Sequence, residues 1–179
     1  MYLGLDLSLT GTGIVIIDDD YNIIIKELLH VEARETERLF FLEEMLLKIL
    51  SPYKEKIFLS AYETPAFRAD GQQFSMGEWS GLVKTNLFKM GLPLLKVVPL
   101  QLKKYVSGQG KGEKGLIILD VFKNFGVEIR QNDQADAYVL SRIAHDFDYI
   151  FNRKINVDLK KYQIDVLNKI NESIDKNLI

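Results

Sequence analysis

Leu3-Gly4-Leu5-Asp6-Leu7-Ser8-Leu9-Thr10-Gly11-Thr12-Gly13-Ile14-Val15-Ile16-Ile17 is the stretch whose reading decides the fold. Two apolar or β-branched runs, 1–7 and 14–17, flank a turn of Ser, Thr and Gly, the signature of an antiparallel hairpin. One carboxylate sits in the first strand. Asp6 lies among Tyr2, Leu3, Leu5 and Leu7, and an ionised acid in such a strand is costly unless it is paired or holds a cation. It reads either as a metal ligand or as a solvated acid at a strand end.

Working outward, Asp18-Asp19-Asp20 makes a turn and residues 21–30 resume as a third strand, so the chain opens with a meander. Residues 33–50 place Leu39, Leu42, Leu46 and Ile49 at helical spacing, and Ser51-Pro52 ends that helix. Residues 57–63 form a short buried strand that ends in Glu63, just before Thr64-Pro65. A polar loop, 66–73, follows with Phe67 and Arg68; then comes a helix over 74–90 with Trp79, Val83 and Leu87 on one side. Residues 94–98 are a fifth strand, stopped by Pro99. Residues 103–115 read as a basic loop freed by Gly108, Gly110 and Gly112, and 113–125 as a helix ended by Gly126. Asn132 is the expected N-cap of a helix over 133–151, with Ala137, Leu140, Ala144 and Phe147 as its core stripe. A last helix over 157–178 carries Ile164, Leu167, Ile170 and Ile174 beneath many charges, as a cap on the domain or as a stripe for a partner.

The 179 residues, 47% apolar and 27% charged, suit one globular domain. The expected organisation is a body over 1–151 and a helical extension over 152–179 packed on it. With no Cys and two His, thiolate sites are excluded and metal chemistry must be oxygen chemistry. No apolar run approaches the roughly 18 residues that span a bilayer, so the expectation is a soluble intracellular protein with no membrane partner. Net charge is −2, yet between Lys84 and Lys114 seven Lys (84, 89, 96, 103, 104, 111, 114) stand against one acid, Glu113. That asymmetry reads as a phosphate-binding face or as a solvated surface.

Four carboxylates stand in suggestive places: Asp6, Glu63, and the i,i+3 pair Asp133 and Asp136 in the first turn of one helix. If the strands are neighbours and the helix lies beside them, their oxygens converge as a pair of Mg²⁺ or Mn²⁺ ions requires. Asp133 and Asp136 also suit plain acids at a positive helix end. His145, nine residues beyond Asp136, is turned about 180° from the acidic face and is expected at the surface.

The hairpin, the Tyr62-Glu63 strand end, the loop Val106-Ser107-Gly108-Gln109-Gly110-Lys111-Gly112-Glu113-Lys114 and the run from Asp133 to Asp146 together resemble the RuvC family of Holliday junction resolvases over roughly residues 1–150. The resemblance implies an α/β, ribonuclease H-like fold: a five-stranded mixed sheet of order 3-2-1-4-5 flanked by helices. It implies a homodimer acting on four-way DNA junctions, with catalytic acids Asp6, Glu63, Asp133 and Asp136 holding two Mg²⁺ ions (or Mn²⁺). It further implies a phosphate-contacting Lys114 supported by Lys103, and an aromatic, Phe67 or Phe74, that stacks on bases. Arg68, Lys104 and Lys111 complete the expected DNA-binding set. Leu7 departs from the Pro usual after the first acid of bacterial members, and the last helix has no counterpart. Small divergent versions of this kind occur in bacteriophages, which implies the cytoplasm of an infected host and activity on several branched DNAs.

Two rivals come from other classes. An actin-like or sugar-kinase-like ATPase shares the opening hairpin but needs two related domains, and the Gly-rich loop matches neither phosphate-loop pattern, so no nucleotide cofactor is expected. A junction-binding protein that does not cut is the second rival, although all four acids are present.

Overall fold

The computed structural model describes residues 1–64, 73–109 and 116–175. Three antiparallel strands open the chain: β1 (Tyr2–Asp6), β2 (Thr12–Ile17) and β3 (Ile23–Leu29). Helix α1 (Glu35–Leu50) leads to β4 (Leu59–Glu63), which pairs parallel to β1, and α2 (Gln73–Lys89) leads to β5 (Leu94–Val97), parallel to β4. The sheet order is β3-β2-β1-β4-β5, a mixed five-stranded sheet as expected. Helices α3 (Pro99–Ser107), α4 (Ile117–Phe125), α5 (Asn132–Phe147) and α6 (Lys161–Asp175) follow.

Alternation along the strands divides the interior into two cores. Leu3, Leu5, Ile14 and Ile16 face α1 and α2, where Leu42, Leu46, Trp79, Val83 and Leu87 meet them. Tyr2, Val15, Ile17, Leu59, Ala61 and Val97 face the other way, onto α3, α4, α5 and α6. Gly4, Asp6, Gly13 and Glu63 share this second face by the same alternation.

Helix α5 lies directly on the sheet because glycines leave it room. A β-carbon on Gly4 would stand 1.9 Å from the Ala137 carbonyl oxygen, and one on Gly13 would stand 2.1 Å from that of Asp133. Both distances are far inside contact, so only glycine fits.

Several boundaries differ from expectation. Residues 99–107 are helix, so the expected loop over 103–115 is helical at 103–107: Pro99 occupies the first helical position, the Gln101 side chain accepts from the Val98 N–H, and Gly108, at φ 78°, closes the helix. Pro99 therefore starts an element as well as stopping β5. Asn132 is the first residue of α5 and not its cap; Gln131 flanks it without a side-chain cap bond, and the α-helix gives way to a π-helical turn over Asp148–Asn152. The last helix begins at Lys161, and its Val166, Leu167 and Ile170 are buried in the core shared with α5.

His145 is not at the surface. It is 2% exposed, with Nδ1 2.7 Å from Asp146 and Nε2 3.1 Å from the Asp19 carbonyl. Turning 180° from the acids leads inward again, because α5 is covered by the sheet on one side and by α3, α4 and α6 on the others. Asp146 is fully buried there and accepts from Tyr21 and Tyr105 as well. Trp79, read from the sequence as lying on one side of α2 with Val83 and Leu87, is likewise fully buried, its Nε1 donating to Thr12 Oγ1 at 3.0 Å.

Candidate active site

The acids gather where two parallel strands end. The β1–β4 ladder runs to Leu5 beside Tyr62, so Asp6 and Glu63, one residue further, leave adjacent strands side by side. The carboxyl ends of parallel strands are where open α/β sheets place their ligands. Across the other ladder Asp6 pairs with Gly13, and Gly13 lies beneath the Asp133 backbone. The missing side chain at Gly13 thus brings the first turn of α5 over Asp6, and with it Asp133 and, one turn on, Asp136. The Asp133 carboxylate reaches over the β1–β2 turn, where a β-carbon on Gly11 would stand 2.9 Å from Oδ2.

The turn is fixed from below. Thr12 Oγ1 donates to the Ser8 carbonyl at 2.7 Å and accepts from the Ser8 N–H and from Trp79. The Ser8 and Thr10 hydroxyls lie 3.0 Å apart at the exposed tip.

All four acids hold their protons more tightly than usual. Burial pushes Asp6 well above the ordinary carboxylate range, and the charges of Asp136, Glu63 and Asp133 push it further. Burial raises Glu63 to about 7, against the pull of Lys103. Asp136 reaches about 7 through burial and then the charges of Glu63 and Asp133, again opposed by Lys103. Asp133 is raised by burial. The acids therefore share one electrostatic field, with Lys103 of α3 as the cation that acts on it. Among the described residues no three acidic or imidazole side chains are close enough to enclose one ion as they stand. Like charges gain nothing by closing on one another without a cation between them.

The other expected DNA contacts divide. Phe74, in the first turn of α2, is 85% exposed. Lys104, the next residue along α3, meets Asp165 of α6 at 3.8 Å. Phe67, Arg68, Lys111 and Lys114 lie outside the described residues. Sequence reasoning missed Gly4, Gly13 and Thr12. A signal was present for the first two, since a glycine inside a strand marks close approach by another backbone.

No family model matches the chain. Over 109 residues, 60% of this chain and 70% of the relative, it is 26% identical to the crossover junction endodeoxyribonuclease RuvC of Synechococcus sp. (strain WH7803). Among solved structures, T. thermophilus RuvC in complex with a Holliday junction substrate aligns with a TM-score of 0.65 at 23% identity, covering 78% of this chain and 88% of that one. The Thermus thermophilus RuvC structure aligns at 0.64 and 22% identity, over 83% and 93%. The chain is thus similar to RuvC in sequence over that stretch and shares its ribonuclease H-like fold.

Proposed function

We propose that the chain is a structure-selective DNA endonuclease that cuts four-way junctions, and related branched DNA, by metal-dependent phosphodiester hydrolysis. One observation carries the reading: four carboxylates from β1, β4 and α5 stand about the carboxyl ends of two parallel strands, their charges raising the proton affinity of Asp6 and Asp136, with Lys103 acting on Glu63 and Asp136. The similarity to RuvC supplies the class of substrate.

The donor set fits a hard divalent ion. It is all oxygen, and the positive charge that its ionised form lacks is what such an ion brings. Asp6, Glu63, Asp133 and Asp136 would hold a pair of Mg²⁺ or Mn²⁺ ions. When bound, they supply an activated water and counter-charge for the leaving oxygen. The chain's own part is to aim and to exclude. Asp6 and Glu63 are held by strands that cannot shift without breaking the ladder, and Asp133 and Asp136 by a helix seated on glycine. Lys103 supplies fixed positive charge toward the phosphate, with Lys114 as its proposed companion from the basic loop. Phe74 offers a free ring for an unpaired base, a contact worth about 1–3 kcal/mol.

A junction needs two cuts across its two-fold axis, so the working unit proposed is an isologous dimer. The experiment is incubation with labelled four-way junction, linear duplex and flap DNA, in Mg²⁺ and in EDTA. Junction cleavage in Mg²⁺ alone is the expected result; binding without cleavage in any metal would favour a non-cutting junction protein.

A further inference from the structure

Against the β1–β2 turn lies a recess of about 320 Å³ bordered by Thr10, His30, Glu32, Arg34 and Arg38. Strand β3 ends at Leu29 beside Thr12, the first residue of β2, so His30 emerges at the same end of the sheet as the acids. The Thr10 carbonyl accepts from His30 Nδ1 at 2.7 Å, which leaves Nε2 without a partner among the described residues. Thr10 precedes Gly11, against which the Asp133 carboxylate stands. The turn is thus a wall shared by the acidic site and the recess.

Arg38 uses Nε on the Ala33 carbonyl at 2.8 Å, and its terminal nitrogens make no bond among the described residues. Among the described residues neither Arg34 nor Arg38 makes an ion pair, although Glu32, Glu35 and Glu37 are close in sequence. Arg34 also flanks the first turn of α1 with no cap bond, where a cation opposes the helix dipole and an Asp or Ser would be more stable. Two guanidiniums without an ion pair among the described residues, against one carboxylate, in a concave site whose remaining wall is Leu9, Val31 and Ala33, suit a phosphodiester, which takes the forked donors of Arg in pairs.

We propose that this recess is a second phosphate-binding site, in which Arg34 and Arg38 hold a backbone phosphate of the DNA. It rests on the nuclease reading above and extends it. Lys103 acts on the acids from α3, which follows the edge strand β5, whereas the recess adjoins the opposite edge, β3. A strand crossing the sheet end would be held on both sides of the cut.

The test uses the full chain in EDTA with labelled four-way junction, measuring affinity over a series of NaCl concentrations. The R34Q/R38Q protein should bind more weakly, with the slope of log K against log salt shallower by about 0.9 for the one phosphate released. R34K/R38K should recover the slope. K54Q/K56Q removes the same charge from the short helical turn before β4, at the other end of the sheet, and should keep the wild-type slope. R34Q alone, whose side chain makes no bond among the described residues, covers the case in which the double variant unfolds. Wild-type slope and affinity in folded R34Q and R34Q/R38Q, or an equal flattening in K54Q/K56Q, would overturn the recess while leaving the nuclease reading in place. Failure of the unaltered protein to bind junction DNA would remove that reading and the recess with it.

Discussion

Gly13 lies beneath Asp133 so closely that a β-carbon on the glycine would stand 2.1 Å from the aspartate's carbonyl oxygen. The first turn of α5, which carries two of the four acids, rests on the strand partner of Asp6. Gly13→Ala should therefore lift that turn. The expected cost is about 1–3 kcal/mol of stability, typical of overpacking, and on the order of 10²-fold in cutting, typical of acids displaced by 1 Å. Gly4→Ala meets Ala137 and Ser141 further along α5, and should cost similar stability with less loss of cutting. Denaturant unfolding and single-turnover cleavage separate the two; full-rate cutting by folded Gly13→Ala would contradict the account.

Asp6→Asn and Asp136→Asn should each reduce cutting by more than the roughly 10–100-fold typical of groups that merely support a metal ligand. Because each removes a charge that its neighbours oppose, the metal-free proteins should be more stable than the parent by on the order of 1 kcal/mol. Junction affinity in EDTA should hold or rise, since a carboxylate cluster repels phosphate. A thermal melt and a binding titration read both effects, and a decrease in either would be the wrong sign.

The raised acids also set a pH dependence. Glu63 and Asp136 move from ordinary values of 4.5 and 3.8 to about 7 in the folded chain. Between those limits the folded state binds more protons than the unfolded one, so these groups lower stability as pH rises through the window and add no further change above it. Relative to a Glu63→Gln/Asp136→Asn protein, the parent should lose stability from about pH 4.5 to 7. Mg²⁺ favours the ionised form, so the melting temperature should rise more on adding Mg²⁺ at pH 8 than at pH 5.5, and cutting should increase through neutrality. Calorimetry across pH, with and without Mg²⁺, checks this.

The face that α2 leaves to solvent carries Phe74, Gly77, Gly81 and Phe88, and the two phenylalanines are 85% and 84% exposed. If two subunits meet along this helix, the seam uses Gly77, Gly81 and Phe88, leaving Phe74 free for DNA and with Trp79 turned inward. Phe88→Arg should then give a folded monomer by sedimentation. On a supercoiled cruciform plasmid it should accumulate nicked circles, where the parent gives linear product directly. An unchanged sedimentation coefficient would place the seam elsewhere.

Much of this was legible in the sequence, and for identifiable reasons. Strand alternation and helical spacing depend on nearby residues, so the meander, the order of elements and the two acids at strand ends could be read. Packing between distant segments could not. Trp79 lies against Thr12 and His145 against Asp19, and neither contact leaves a local pattern. Residues 103–107 misled because the same Lys, Ser and Gly that suggest a loop complete a short helix once Pro99 starts it and Gly108 ends it. The electrostatic link from Lys103 to Glu63 and Asp136 depends on that helix and so on the same misreading.

The most direct test of the central claim is to map the cuts on a four-way junction labelled in turn on each strand. The account predicts Mg²⁺-dependent nicks in two opposed strands, placed symmetrically about the crossover, and none with EDTA or with the Asp6→Asn/Asp136→Asn protein. Cuts scattered equally along linear duplex, or cutting that survives loss of both acids, would contradict it.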